Sequence, residues 1–389
     1  MSVFALIALS SCAGVAVPRD RVQLEVAGPA IDAPLIPLPD FYRLPRAVGE
    51  GGDGGRLAQR WAMLGREDRA AASESGGAEY SPRECEAVPG SPLGWDAVID
   101  AVVARAADHR VVIINESHMV TRHRETTRRL LAKLRPLGFS VLAAETFNQG
   151  YGTTSPVEAQ PAVAWPHMTE GFYSGEPAFG RLVREAKAQG YRLAPYEEMF
   201  DPAVPASDDP SENIVRREAA QARHLAEIVR RMRPEERLII HAGYRHGSEV
   251  PFDFDGRDLE WMGARFKALT GIDPLTVTQT ACRSAGGAAF LAAPPADHRP
   301  GQFDMFVSHP VEVFDDNRPR WRRDTGDIPT AIPATLQPTD EPLVIEAFAW
   351  DEPYEAVPVD RVFVEPGEDL PLLLPQGRYR VRAVRLAEP

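Results

Sequence analysis

The chain has 389 residues and is 44% hydrophobic, enough to bury a sizeable core and long enough to predict more than one domain. Its formal charge of −13, from 56 acidic and 43 basic side chains, opposes counterion-release binding and argues against nucleic acid as a partner. The 36 prolines and 30 glycines predict long connections and short elements rather than a helical bundle.

Val3 to Leu9 form an apolar run too short to span a bilayer, followed by small residues. Leu9-Ser10-Ser11-Cys12 resembles a lipobox, so residues 1–11 read as a lipoprotein-type signal peptide and Cys12 as the lipidated residue. Such an anchor places a soluble domain on a membrane of a bacterial cell envelope, facing the periplasm or the exterior. An oxidising compartment leaves Cys85 and Cys282 able to pair as a disulfide, the alternative being two separate small buried residues.

Residues 12–94 read as an irregular region wrapping the main domain, with a strand at Arg21–Val26 and a helix near Arg56–Gly65. A helix from about Trp95 to Ala107 leads into Val111–Ile114, whose unbroken apolar character predicts a strand buried on both faces. Helix Arg122–Leu134, strand Ser140–Ala144, helix Ala178–Gln189 and strand Tyr191–Pro195 follow. Asp209 as N-cap, Pro210 and Glu212 then predict a capping box that opens a helix running to about Met232. Strand Arg237–Ile240, helix Arg257–Leu269 and strands Leu275–Thr278 and Phe303–Ser308 complete a domain over residues 95–312. The alternation predicts an α/β fold, a mainly parallel sheet with helices on both faces. Residues 335–389 alternate in polarity between Pro and Gly, which predicts a small antiparallel β domain or added strands.

Four of the predicted strands end in ionisable side chains: Glu116 and His118, Glu145, Tyr196 and Glu197, and His241. In a parallel sheet those ends share one edge, so the groups converge. Glu116, His118, Glu145 and His241 form an inner set suited to acid–base chemistry or to holding a divalent metal. Tyr196, Glu197, Arg217, Tyr244 and His246 form an outer set for substrate binding, in which Arg217 or Tyr244 faces a carboxylate or an oxyanion. His123 reads as a surface or helix-packing residue and His224 as structural. The long connection Thr146–Pro177 carries Tyr151, Trp165, His167, Phe172 and Tyr173, and reads as a lid with an aromatic wall.

Asn115-Glu116-Ser117-His118, the strand-ending Glu145, Arg217-Glu218 and His241 with Gly243 together resemble the erythromycin esterase and ChaN-like superfamily, which is related in pattern to Tiki/TraB proteins. The resemblance covers about Val111 to Pro310. It implies an α/β protein with Glu and His at strand ends, acting either as a hydrolase of ester or peptide bonds or as a haem-binding uptake lipoprotein. It assigns His118 as the catalytic or metal-binding histidine, Glu145 as the second-strand acid and His241 as the late histidine. Asn115 departs from the pattern, standing where a glycine often precedes the Glu. Two readings follow: a hydrolase of a small-molecule or peptide substrate, with or without a divalent metal, and a surface lipoprotein binding haem through Tyr196, Tyr244 or a histidine.

Overall fold

The computed structural model describes residues 21–32, 42, 54–73, 82–150, 156–160, 162–198, 206–254 and 256–386. Cys12, the signal segment and Tyr151 lie outside the described residues. Among the described residues no helix is long and apolar enough to cross a membrane.

The fold is mixed α/β. Its strands are β1 (Val22–Val26), β2 (Val111–Glu116), β3 (Phe139–Ala144), β4 (Arg192–Ala194), β5 (Arg237–Gly243), β6 (Leu275–Ser284), β7 (Phe290–Ala292), β8 (Met305–Pro310), β9 (Leu343–Ala349), β10 (Asp360–Val364) and β11 (Gly377–Arg385), with several shorter pieces. The main helices are α1 (Gly54–Met63), α2 (Glu67–Ala72), α3 (Trp95–Ala106), α4 (Arg122–Leu134), α5 (Pro177–Ala188), α6 (Pro210–Arg231), α7 (Met262–Thr270) and α8 (Arg320–Asp324).

The main sheet runs in the order β7-β8-β6-β2-β5-β3-β4, with Arg83–Glu84 paired to β6. All its pairings are parallel except β7 with β8. Strand periodicity explains the two-faced core. Val112 and Ile114 of β2 point with Leu142 and Ile239 toward Val98 and Val102 of α3, Leu130 of α4 and Phe179 of α5. The alternate residues Val111, Ile113, Val141 and Ile240 meet Leu225 and Val229 of α6 and Met262 and Phe266 of α7. Strands apolar at every position are therefore the ones between helical layers.

Two local expectations are corrected. Arg257–Leu259 is not helical but a short strand paired with Phe252–Phe254, because Gly256 at φ +77° turns the chain there; the helix starts at Met262. Asp209 does cap α6, its carboxylate accepting from Ser211 N, but Glu212 accepts from Ser207 Oγ and does not close the box.

The C-terminal sheet runs β1-β11-β9-β10. Its later strands are antiparallel, but β1 adds to the last strand in parallel, so this sheet draws on both ends of the chain. Helices α1 and α2 fill the space between this sheet and the main one: Met63 and Leu64 pack on Val344 and Phe363, and Glu67 accepts from Thr121 N and Oγ1.

Cys85 and Cys282 are joined, closing a loop with a sequence separation of 197. Replacing both by serine is expected to lower stability by about 2–5 kcal/mol, because the open chain regains loop entropy. The urea midpoint of the double variant against the oxidised protein checks this, and unchanged midpoints would refute it.

Candidate active site

Register places the ionisable ends side by side. Ile114 is opposite His241, Glu116 is opposite Gly243, and Ala144 is opposite His241 on the other flank of β5. Glu116, His118, Glu145 and His241 thus meet at the carboxyl edge of β2, β5 and β3, all buried.

Glu116 is the hub. Its Oε1 accepts from His118 Nδ1 at 2.7 Å, and its Oε2 from His241 Nε2 at 2.9 Å. Arg124 forks onto the same carboxylate, Nε to Oε2 at 2.8 Å and a terminal nitrogen to Oε1 at 2.9 Å. Burial alone would raise this carboxyl, but Arg124 and then His241 hold it well below its ordinary value. The ionised acid can only accept, so His118 carries its proton on Nδ1 and leaves Nε2 with a free lone pair.

That Nε2 lies 3.8 Å from Glu145 Oε1. Glu145 is itself fixed, by Arg217 at 2.6 Å on Oε1 and by Gly243 N at 2.5 Å on Oε2. Burial opposes ionisation here too, but the Arg217 guanidinium holds the carboxyl below its ordinary value. Gly243 is required by close approach: a Cβ there would come within 2.6 Å of His118 Nε2 and 2.9 Å of Glu145 Oε2. His246 completes this side, 3.8 Å from Glu145 Oε2 and 3.3 Å from Arg217. Its Nδ1 is 2.7 Å from Glu218 Oε1, but neither atom has a well-directed hydrogen bond, so the contact is ionic in character. Burial pushes His246 down, yet Glu218 and Glu145 raise its pKa above the ordinary value.

Two aromatic side chains wall His118. Tyr173 stacks on the His118 ring at 3.8 Å and 17°, while Tyr244 meets it edge-on at 4.9 Å. Burial, then Glu145, raises the Tyr173 phenol well above its ordinary value, so it stays protonated. Asn115, where the family pattern often has glycine, ties β2 to its neighbours: its amide nitrogen reaches Tyr244 O and Thr278 Oγ1, and its oxygen accepts from Gln279 N.

Several expectations change. Tyr196 is not a substrate contact but wholly buried, donating to His241 O at 3.3 Å. His241 is fully buried, donating through Nε2 to Glu116 and accepting from Thr127 through Nδ1, so it positions Glu116 and does not face the gap. Glu197 holds Arg217 in a fork at 3.1 Å. His123 is not at the surface: it is buried, and its Nδ1 accepts from Ser117 N. His224 contacts the backbone oxygens of Tyr196 and Glu197, a structural role.

The expected metal set does not fit a divalent cation. Every oxygen of Glu116 and Glu145 already receives a donor, a guanidinium sits on each carboxylate, and among the described residues no three His, Cys, Asp or Glu side chains could hold an ion. The haem reading loses Tyr196 and His241 as axial groups, since both are committed inside the core.

Arg124 and Glu176 escaped sequence reading. Glu176 caps α5 by accepting from Ala178 N and Phe179 N, and also takes Arg124 at 2.7 Å. Its neighbour Gly175 accepts from Arg361 of β10 at 3.0 Å, and Arg361 pairs with the buried Glu346 of β9 at 2.9 Å. The turn that stacks Tyr173 on His118 is therefore gripped from the C-terminal sheet. The only sequence signal was a Glu followed by Pro177, which marks a helix start and not a charge partner.

No protein-family model matches the chain, and no curated protein matches it. Among solved structures it is similar to the type III effector HopBA1, at 15% identity and a TM-score of 0.37, covering 58% of this chain and 97% of that one. It is also similar to RRSP, a MARTX toxin effector domain from Vibrio vulnificus CMCP6, at 14% identity and a TM-score of 0.33, covering 57% of this chain and 40% of that one.

Proposed function

We propose that the protein hydrolyses an ester or amide bond of a small molecule or peptide, with His118 as the base and no metal in the step. The observation that carries this reading is the free Nε2 of His118, set by Glu116 at 2.7 Å on the other nitrogen and facing Glu145 Oε1 across 3.8 Å. That gap is too long for a direct hydrogen bond, yet one water can sit beside it about 2.8 Å from both atoms. Glu145 would orient that water by accepting a hydrogen bond from one of its hydrogens, and His118 Nε2 would take the other as a proton as the oxygen attacks the carbonyl carbon. Arg217, with a third of its side chain exposed, would meet the oxyanion, with Tyr244 beside it. His118, then carrying the proton taken from water, would return it to the leaving group. The motif resemblance to the erythromycin esterase and ChaN-like superfamily supports the same reaction class, and the lipobox at Cys12 supports an envelope-anchored enzyme.

The test is a panel of chromogenic esters and a peptide library, assayed with and without a chelator. Turnover that survives the chelator and needs His118 is expected; turnover abolished by the chelator and restored by metal would overturn the metal-free step.

Gly243→Ala is expected to lower that turnover about a hundredfold, because a displacement of His118 near 1 Å misaligns the base. A variant that matches the wild type in kcat would show that the close approach is unimportant.

A further inference from the structure

The carboxyl end of β2 carries a second set of contacts, on the flank that faces β6. The ladder between β2 and β6 stops at Ile114, opposite Val277. One residue on, the Asn115 side chain takes its place: Oδ1 accepts from Gln279 N at 2.7 Å, while Asn115 O accepts from Gln279 Nε2 at 2.9 Å. A backbone N–H on Oδ1 fixes which way the amide lies, so Nδ2 is the donor on its other side. Its acceptors are Tyr244 O at 2.5 Å, Thr278 Oγ1 at 2.9 Å and Thr280 Oγ1 at 3.0 Å.

Tyr244, the nearest of these, follows β5 at φ +40°, in the left-handed region, where a bulky side chain is strained. Among the described residues the other non-glycines with positive φ are Asp316 and Asn317, whose short polar side chains tolerate it. A tyrosine stays there only where its surroundings over-determine it. Here they do: Tyr244 N donates to Glu116 O at 2.7 Å and Tyr244 O accepts from Asn115. Consecutive residues of β2 thus grip both backbone polar groups of one residue.

That backbone aims the ring. Tyr244 meets the His118 imidazole edge-on, at 4.9 Å and 85°, while Tyr173 lies flat on it at 3.8 Å. Successive side chains of a strand point to opposite faces, so Asn115 points away from the Glu116 carboxylate. What reaches His118 is the residue that Asn115 holds.

We propose that Asn115 is a positioning residue: it locks Tyr244 in the left-handed conformation that sets its ring against His118, and so keeps the imidazole aligned with Glu116 and Glu145. The clamp itself stands on geometry alone; its effect on turnover rests on the hydrolytic reading.

The test follows the His118 Hε1 NMR signal in the intact oxidised protein carrying isotope-labelled histidine, the signal being assigned by its loss in His118→Gln. Tyr244→Gly, which removes the ring, is expected to move that signal, and Asn115→Asp and Asn115→Gly to move it the same way. The first of these keeps an acceptor for Gln279 N, the second adds no charge, and each is checked by circular dichroism for folding. Thr278→Val, which takes away another acceptor of the same amide, is expected to leave the signal in place. With a substrate from the ester and peptide panel, both Asn115 variants are expected to lose about tenfold in kcat at unchanged KM. A panel without turnover, or turnover indifferent to His118→Gln, would sink the hydrolytic reading and leave the clamp to be judged on the signal. Wild-type kcat with a displaced signal would overturn the positioning role. The clamp is overturned if both folded Asn115 variants keep the wild-type signal, or if Thr278→Val moves it as far as Asn115→Asp does. It is also overturned, with no variant needed, if the Tyr244 amide of the unmodified protein exchanges as fast as that of an unstructured chain.

Discussion

His118→Gln is expected to lower turnover of any substrate found for this site by about 100- to 10,000-fold, the range lost when a positioned general base is removed. Glutamine can still fill much of the space under Tyr173 and donate to Glu116, but an amide takes no proton from water at neutral pH. Hydrogen bonds from Arg124 and His241 to Glu116 remain, so the fold should hold. The fall should therefore be in kcat, with KM little changed, because His118 contributes to the reacting water more than to substrate binding. Glu145→Gln tests the other side of the gap and is expected to slow turnover without changing the His118–Glu116 pair. A folded His118→Gln protein that keeps more than about a tenth of wild-type kcat would remove His118 as the base.

Arg124→Met has the largest expected effect on stability, a loss of about 3–5 kcal/mol at neutral pH, as for a buried pair broken by removing one partner. Arg124 is fully buried between Glu116 and Glu176, and nothing else described neutralises both. The pH dependence gives a sharper check. The Glu116 carboxyl is held well below its ordinary value of 4.5 in the folded protein, so its ionisation stabilises the fold above that pH, and the contribution is lost as pH falls through the folded value. Without Arg124 the shift collapses, so the deficit should hold from neutral pH down to about 4.5 and shrink only below it, as the wild-type carboxyl takes up its proton. Urea midpoints of wild type and variant at pH 7 and well below pH 4.5 would decide; an equal deficit at both would show that the Arg124–Glu116 charge pair is not its source.

The same pair explains how a distant sheet bears on the site. Glu346, Arg361, Gly175 and Glu176 lead from the C-terminal sheet to Arg124 and Glu116 in successive contacts of about 3 Å or less. The appended β strands thereby brace the turn that carries Tyr173, in addition to covering apolar surface.

Sequence alone determined the parallel strands, because a run such as Val111–Ile114 can be buried on both faces only between helical layers. It also determined which ionisable groups share the sheet edge, since parallel strands put their carboxyl ends together whatever the register: Glu116, His118, Glu145 and His241 are neighbours, and Arg217 is on Glu145. Tertiary structure alone decided their roles. Whether His118 or His241 keeps a free nitrogen depends on hydrogen bonds to Glu116 and Thr127, which lie on other elements. Arg124 reads as an ordinary helix arginine, since α4 buries polar residues along its first turns and has no apolar period there. The partner that gives it meaning, Glu176, is 52 residues away, as Gly175 is 186 from Arg361. Periodicity reports what the chain does to itself within a few residues. Charge pairing across a buried interior is set by which elements the fold brings together, and no local pattern carries it.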